Sequence, residues 1–205
     1  MIPALESLEL LREGNRRFVS DNGTRDSSAR RRELANGQAP FATILGCSDS
    51  RVPVELVFDQ GLGDLFVIRV AGNIVAPSQI GSVEFAAEQF GTRLVVVLGH
   101  SNCGAIGATL DQLGRPSEQQ SPNLVHIVEF IRPSIEGLLT TSLKNDHNSL
   151  VHHAVRANIR ASVDTLRHGS DILESMVKNH GLLVVGAEYS LDTGLVDFFD
   201  GVPGA

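Results

Sequence analysis

Cys47 and Cys103 are the only two cysteines in the chain, and His100 stands three residues before the second of them. A thiolate and an imidazole are both good ligands for a borderline-soft cation. Cys47 follows the apolar run 41–45, and His100 closes the apolar run 94–98, so all three ligand types gather at the ends of apolar segments. A set of two Cys and one His suits catalytic zinc, which keeps a fourth position for water, better than structural zinc, which is usually closed by four side chains. Cys103 also opens a segment, 103–113, with helical character, where free amides and the helix dipole favour the thiolate. From spacing alone the alternative stays open: two small buried hydrophobes and a histidine with its hydrogen bonds satisfied.

Asp49 and Arg51 lie just beyond Cys47, in Cys47-Ser48-Asp49-Ser50-Arg51. A carboxylate beside a metal either takes the fourth position or turns away and accepts a hydrogen bond from water. Arg51 favours the second state, because a bidentate guanidinium holds a carboxylate ionised and off the metal. The plainer reading is a surface ion pair, worth about 0–1 kcal/mol.

These residues need a scaffold, and the composition allows one. The chain has 205 residues, 42% hydrophobic and 20% charged, which is ordinary for a globular protein and about the size of one domain. We read residues 1–205 as a single domain with an N-terminal helical arm over 1–36. A net charge of -7 repels polyanions and argues against nucleic acid or an anionic membrane as partner. The apolar runs are far shorter than the roughly 20 residues that cross a bilayer. Glu6, Glu9 and Glu13 interrupt the first leucines, unlike a signal peptide, so a cytoplasmic location is expected. In such a reducing compartment a cysteine pair points to metal or catalysis rather than a disulfide.

The short apolar runs 41–45, 65–68, 94–98 and 182–186 read as strands covered on both faces, and 195–199 as an antiparallel edge strand after a tight turn at 192–194. Helices fall between them: one opened by Pro53 and ended by Gly61, one from Ser78 or Ser82 through Phe90, one over 103–113, and two or three across 123–180. The expected fold is α/β, a mostly parallel four-stranded sheet with an antiparallel edge strand, flanked by helices. In the arm, Leu5, Leu8, Leu11 and Phe18 recur at helical spacing, and 29–35 is a second short helix bearing Arg30, Arg31 and Arg32. A polar loop spans 114–122.

The segment Cys47-Ser-Asp-Ser-Arg51, followed by His100-Ser-Asn-Cys-Gly-Ala105, resembles the paired signature motifs of the β-class carbonic anhydrases, and the likeness runs from about Gln38 to Tyr189. The resemblance implies a carbonate dehydratase, a zinc lyase with one Zn2+ per chain, that interconverts carbon dioxide and bicarbonate through a zinc-bound hydroxide. It implies Cys47, His100 and Cys103 as ligands, Asp49 as fourth ligand in a closed state and water partner in an open one, and Arg51 as the lock of the open state. By the same likeness Gln38 donates a hydrogen bond to substrate, Phe66, Ala71 and Phe85 line an apolar pocket, and the Gly104 amide binds a substrate oxygen. It further implies a homodimer or dimer-based tetramer, with the helical arm embracing the neighbour.

Some members carry a regulatory bicarbonate site of Trp, Arg and Tyr. Arg69 and Tyr189 match two of these, but Ile44 stands at the Trp position, so Arg69 is read as a structural ion pair and Tyr189 as a strand-end support. His126, His147, His152, His153, His168 and His180 follow no ligand spacing and read as solvated helix residues. Hydrolysis of carbonyl sulfide or carbon disulfide on the same scaffold is a close second reading that the sequence does not separate from hydration, because discrimination rests on pocket shape and access. A non-enzymatic zinc-binding protein fits less well, since it would have no need of Asp49 and Arg51.

Overall fold

A computed structural model describes residues 2–21, 34–113 and 121–203. Five strands form one sheet: β1 (Ala42–Gly46), β2 (Leu65–Arg69), β3 (Leu94–His100), β4 (Leu183–Tyr189) and β5 (Val196–Asp200), in the order β2-β1-β3-β4-β5. The first four pair in parallel and β5 pairs antiparallel with β4. That is the expected architecture, and its physical basis is visible in β1 and β3, where every residue is buried. Strands with both faces covered read as unbroken apolar runs.

Among the described residues seven α-helices flank the sheet: α1 (Ala4–Val19), α2 (Val54–Val57), α3 (Pro77–Gln89), α4 (Gly104–Leu113), α5 (Leu124–Ile135), α6 (His147–His168) and α7 (Asp171–Asn179). Val83, Ile106, Ile131, Ile159 and Leu173 from α3 to α7 pack on one face with Val95 and Val97 of β3. Leu8 and Leu11 of α1, with Val54 and Val57 of α2 and Phe58, pack on the other with Ile44, Val96 and Leu98.

Three local expectations need correction. Helix α2 is a single turn capped by Pro53, and the chain leaves it at Phe58 rather than Gly61, because Asp59 takes a left-handed φ of 47°. Helix α3 starts at Pro77, whose fixed φ suits the first helical position, so neither Ser78 nor Ser82 caps it. The arm helix α1 spends its apolar face on its own chain's core, and the buried Asn15 ties it there by donating to the Val57 and Gly194 carbonyls at 3.0 and 2.9 Å and accepting from Val196 N at 2.9 Å. An arm wrapped by that face around a neighbour is thereby corrected. The second arm helix, with Arg30 to Arg32, lies outside the described residues except for the 3-10 turn Leu34–Asn36, and most of the 114–122 loop lies outside them too.

The strand order decides where a ligand can sit. The chain moves from β1 outward to β2, then returns to place β3 on the other side of β1. At such a switch point the connections leave in opposite directions and open a crevice at the strands' carboxyl ends. Cys47 follows β1 there, and His100 is the last residue of β3.

Candidate metal centre

Cys47, His100 and Cys103 are all buried, and their ligand atoms lie within 4.8 Å of one another. The two Sγ atoms are 4.0 Å apart. Among the described residues this is the group of metal-ligating side chains that converges. Three elements bring it together: Cys47 leaves β1, His100 ends the neighbouring β3, and Cys103 precedes α4 after a tight reversal in which Asn102 takes a φ of 53°.

The donor set fits a cation. His100 Nδ1 lies 2.9 Å from the Ser101 carbonyl oxygen, which fixes the proton on Nδ1 and leaves Nε2 with a free lone pair. That Nε2 is buried with no hydrogen-bond partner, an arrangement that is costly unless a ligand fills it. Hydrogen bonding from Cys103 holds the Cys47 thiol well below the usual range against the effect of burial, with the Gly72 amide adding to it. The Cys103 thiol is pushed up by the neighbouring Cys47 and by its own burial. Two buried sulfurs in hydrogen-bond contact form a site where a metal can replace the proton between them.

Asp49 stands at the rim. Its Oδ1 accepts from Arg51 Nε at 2.9 Å and from Arg51 N at 3.0 Å, and its Oδ2 accepts from Arg51 Nη2 at 2.7 Å. The Arg51 guanidinium therefore holds the carboxyl well below the usual carboxylate range. Oδ2 also lies 3.7 Å from the unpartnered His100 Nε2. The carboxylate is thus turned toward the arginine and kept outside the three-residue cluster, while remaining next to it.

Arg69 was expected in an ion pair, but it is committed to the backbone: Nε donates to the Cys47 carbonyl at 2.9 Å and Nη2 to the Asp49 carbonyl at 2.6 Å. Ile44 is buried in the opposite core, and Tyr189 packs at the end of β4 with its ring tilted against Phe18.

The remaining candidates spread around this crevice. Ala71 lies in the 3-10 turn Ala71–Asn73 after β2, next to the Gly72 amide that donates to Cys47 Sγ at 3.3 Å. Gly104 is exposed at the first turn of α4, with open space where a Cβ would be. Phe66 and Phe85 meet each other at a centroid distance of 6.2 Å and both meet Phe90, and Phe85 is 50% exposed. Gln38 is exposed in the segment before β1. The six other histidines are apart from the cluster; His126, His152 and His168 are 74, 52 and 61% exposed at their side chains.

A carbonic anhydrase family model matches residues 42–196, which includes β1 to β4, the start of β5 and all three cluster residues. The chain belongs to the β-carbonic anhydrase family. Carbonic anhydrase 2 of Mycobacterium tuberculosis is 37% identical over 186 residues, covering 90% of this chain and 87% of the relative. Among solved structures, the β-carbonic anhydrase CafA of Aspergillus fumigatus superposes with a TM-score of 0.74 at 26% identity, over 84% of this chain and 81% of that one. A tetrameric β-carbonic anhydrase of Sordaria macrospora gives a TM-score of 0.70 at 25% identity, over 82 and 85% of the two chains. The chain is therefore an enzyme of the carbonic anhydrase type.

Sequence reasoning located the three convergent residues of this β-carbonic anhydrase and missed their supports: the Gly72 amide, the carbonyl contacts of Arg69, and two residues of α6 that hold the Gly72 turn. Ala71-Gly72-Asn73 directly after a strand was a readable turn signal. Nothing local to it announced contact with a cysteine.

Proposed function

We propose that this β-carbonic anhydrase reversibly hydrates carbon dioxide to bicarbonate and a proton, with one zinc ion per chain held by Cys47, His100 and Cys103. Zinc bound there supplies Lewis acidity, bringing the pKa of a coordinated water down to about 7 so that a nucleophile is available at neutral pH. The observation that carries this reading is the placement of Asp49, locked by Arg51 and yet 3.7 Å from His100 Nε2. A carboxylate so placed has a lone pair left to accept a hydrogen bond from the reacting water, and so aims that water's own lone pair at the substrate carbon. Release from Arg51 would let the same carboxylate occupy the fourth coordination position, which makes the pair a gate as well as a guide.

Substrate binding follows from the surroundings. The Gly104 amide belongs to the first turn of a helix, where N–H groups have no partner within the helix, and donates to a substrate oxygen. Phe66, Ala71 and Phe85 supply the apolar wall that a small neutral gas requires. Gln38 and the exposed edge of Phe85 complete the pocket when a second copy is present, so the working form is a homodimer or a tetramer of dimers. A tetrameric relative in the same fold and an aromatic side chain half exposed on α3 support that reading. A reducing, cytoplasmic setting belongs to it as well, because both sulfurs must stay reduced to ligate.

The test is stopped-flow hydration of carbon dioxide at about pH 7 and about pH 8.5, on either side of the ionisation expected for zinc-coordinated water, with zinc content measured. Carbonyl sulfide runs as a parallel substrate. Fast hydration at one zinc per chain is the expected result. Turnover of carbonyl sulfide alone would move the assignment to that hydrolysis, and silence on both at full zinc would leave a binding protein.

A further inference from the structure

The sulfur of Cys47 accepts a hydrogen bond from a peptide whose position is set far away in sequence. Gly72 N donates to Cys47 Sγ at 3.3 Å, from a turn in which Gly72 and Asn73 both take left-handed φ values, 70 and 44°. Gly72 is required there for two reasons: its φ, and the Ile131 Cδ1 and Ala105 Cβ atoms, which would meet an added Cβ at 2.8 and 3.1 Å. A turn of this kind has few hydrogen bonds of its own and needs an outside anchor.

Helix α6 supplies it. Asn158 Nδ2 donates to the Gly72 carbonyl at 2.8 Å, and one turn later Ser162 Oγ donates to the Asn73 carbonyl at 3.1 Å. Both side chains are buried, 2 and 5% exposed, in a helix face otherwise made of Val155, Ile159, Val163 and Leu166. A buried amide in such a face costs stability unless it satisfies something specific. Here it satisfies a carbonyl on the very residue whose N–H meets the metal-ligating sulfur.

We propose that Asn158, assisted by Ser162, is a positioning residue for the metal centre: by holding the Gly72 and Asn73 carbonyls it fixes the turn so that the Gly72 N–H stays on Cys47 Sγ, and so tunes how strongly that sulfur holds a metal. The inference rests on the reading of Cys47, His100 and Cys103 as zinc ligands. An N–H donor withdraws electron density from a thiolate and fixes its direction, as hydrogen bonds around metal ligands do elsewhere. Without Asn158 the Gly72 carbonyl is buried and unpaired, the turn relaxes, and the N–H leaves the sulfur.

The experiment uses the zinc-loaded protein and its Co2+-substituted form, with Asn158→Leu, which keeps the branched outline and removes the donor, Ser162→Ala as a gentler second variant, and Leu166→Ala as a core control on the same helix. Zinc loss to a chelating dye should speed about 10–100-fold in Asn158→Leu, the range for lost outer-shell partners, and several-fold in Ser162→Ala. The sulfur-to-cobalt charge-transfer band should move to lower energy in both, because a thiolate that has lost a donor gives up its electron more readily. Leu166→Ala should lower the thermal midpoint while leaving zinc loss and band position as in wild type. Wild-type rates and band position in both polar variants would overturn the proposal. So would zinc loss in Leu166→Ala as fast as in Asn158→Leu at equal loss of thermal stability. A wild-type protein that takes up neither zinc nor cobalt would overturn the metal reading itself, in an arm that involves no variant.

Discussion

Arg51 grips Asp49 through both carboxylate oxygens, at 2.9 and 2.7 Å, and the same guanidinium reaches the Asn102 carbonyl at 3.3 Å, one residue before Cys103. Arg51 therefore connects the Asp49 loop to the Cys103 loop across the rim of the cluster. The two acidic and sulfur positions should separate cleanly in mutants. Asp49→Ala is expected to lose most hydration activity, by about 100-fold or more for a group that acts on the reacting water, while keeping its zinc. Cys103→Ala is expected to lose the zinc itself. Metal analysis beside activity distinguishes them, and equal zinc loss in both would contradict the roles assigned.

The Arg51 contact also sets a pH dependence whose sign is fixed. The folded Asp49 carboxyl titrates well below its ordinary value because Arg51 binds the ionised form, so the unfolded chain binds its proton first as pH falls. Stability from this pair is therefore fully present above about pH 4, the ordinary carboxylate value, and drains away below it. Thermal midpoints measured across acid pH should fall more steeply in wild type than in Arg51→Ala. Asp49 stays ionised through the neutral range, so a change in rate between about pH 6 and 9 that vanished in Arg51→Ala would speak against this assignment.

Arg69 holds the same loop from the other side, with its two nitrogens on the Cys47 and Asp49 carbonyls. A lysine keeps the charge but has no planar fork to span both oxygens. Arg69→Lys should lower the midpoint by about 2–4 °C, for roughly 1 kcal/mol of lost hydrogen bonding, and cut activity through a displaced Asp49. Full activity with an unchanged midpoint would show that the two carbonyl contacts are idle.

What was legible in the sequence divides along physical lines. The strands declared themselves because a doubly covered strand must be apolar at every position, as Leu94 to Leu98 are. Cys47, His100 and Cys103 could be placed together because each sits at or near the carboxyl end of one of two parallel strands, β1 and β3, which the sheet places side by side. The supports of the cluster were invisible for the opposite reason. Asn158 meets Gly72 across 86 positions of chain, and Asn158 in a helix reads like any polar residue until the fold brings the two together. The face that α1 buries was ambiguous on the same ground: periodicity shows that Leu8 and Leu11 need an apolar surface, and cannot say whose.

Helix α1 offers the sharpest conflict between local preference and packing. Gly14 lies in its interior, where alanine would be favoured by about 1 kcal/mol on helix propensity alone. A Cβ at Gly14, however, would overlap the Phe58 carbonyl oxygen, a rigid backbone atom at the end of α2, and would crowd the Gln60 side chain. Gln60 Nε2 in turn donates to that carbonyl at 2.7 Å, so the obstructing group is itself held in place. Packing should win: Gly14→Ala is expected to destabilise the protein by about 1–3 kcal/mol, the usual cost of forcing volume into a filled site, despite the better helix former. Urea unfolding of the two proteins decides it. A Gly14→Ala protein of equal or greater stability would mean that α1 can shift away from Phe58, and hence that its seat on this chain's own core is looser than the buried Leu8, Leu11 and Asn15 imply.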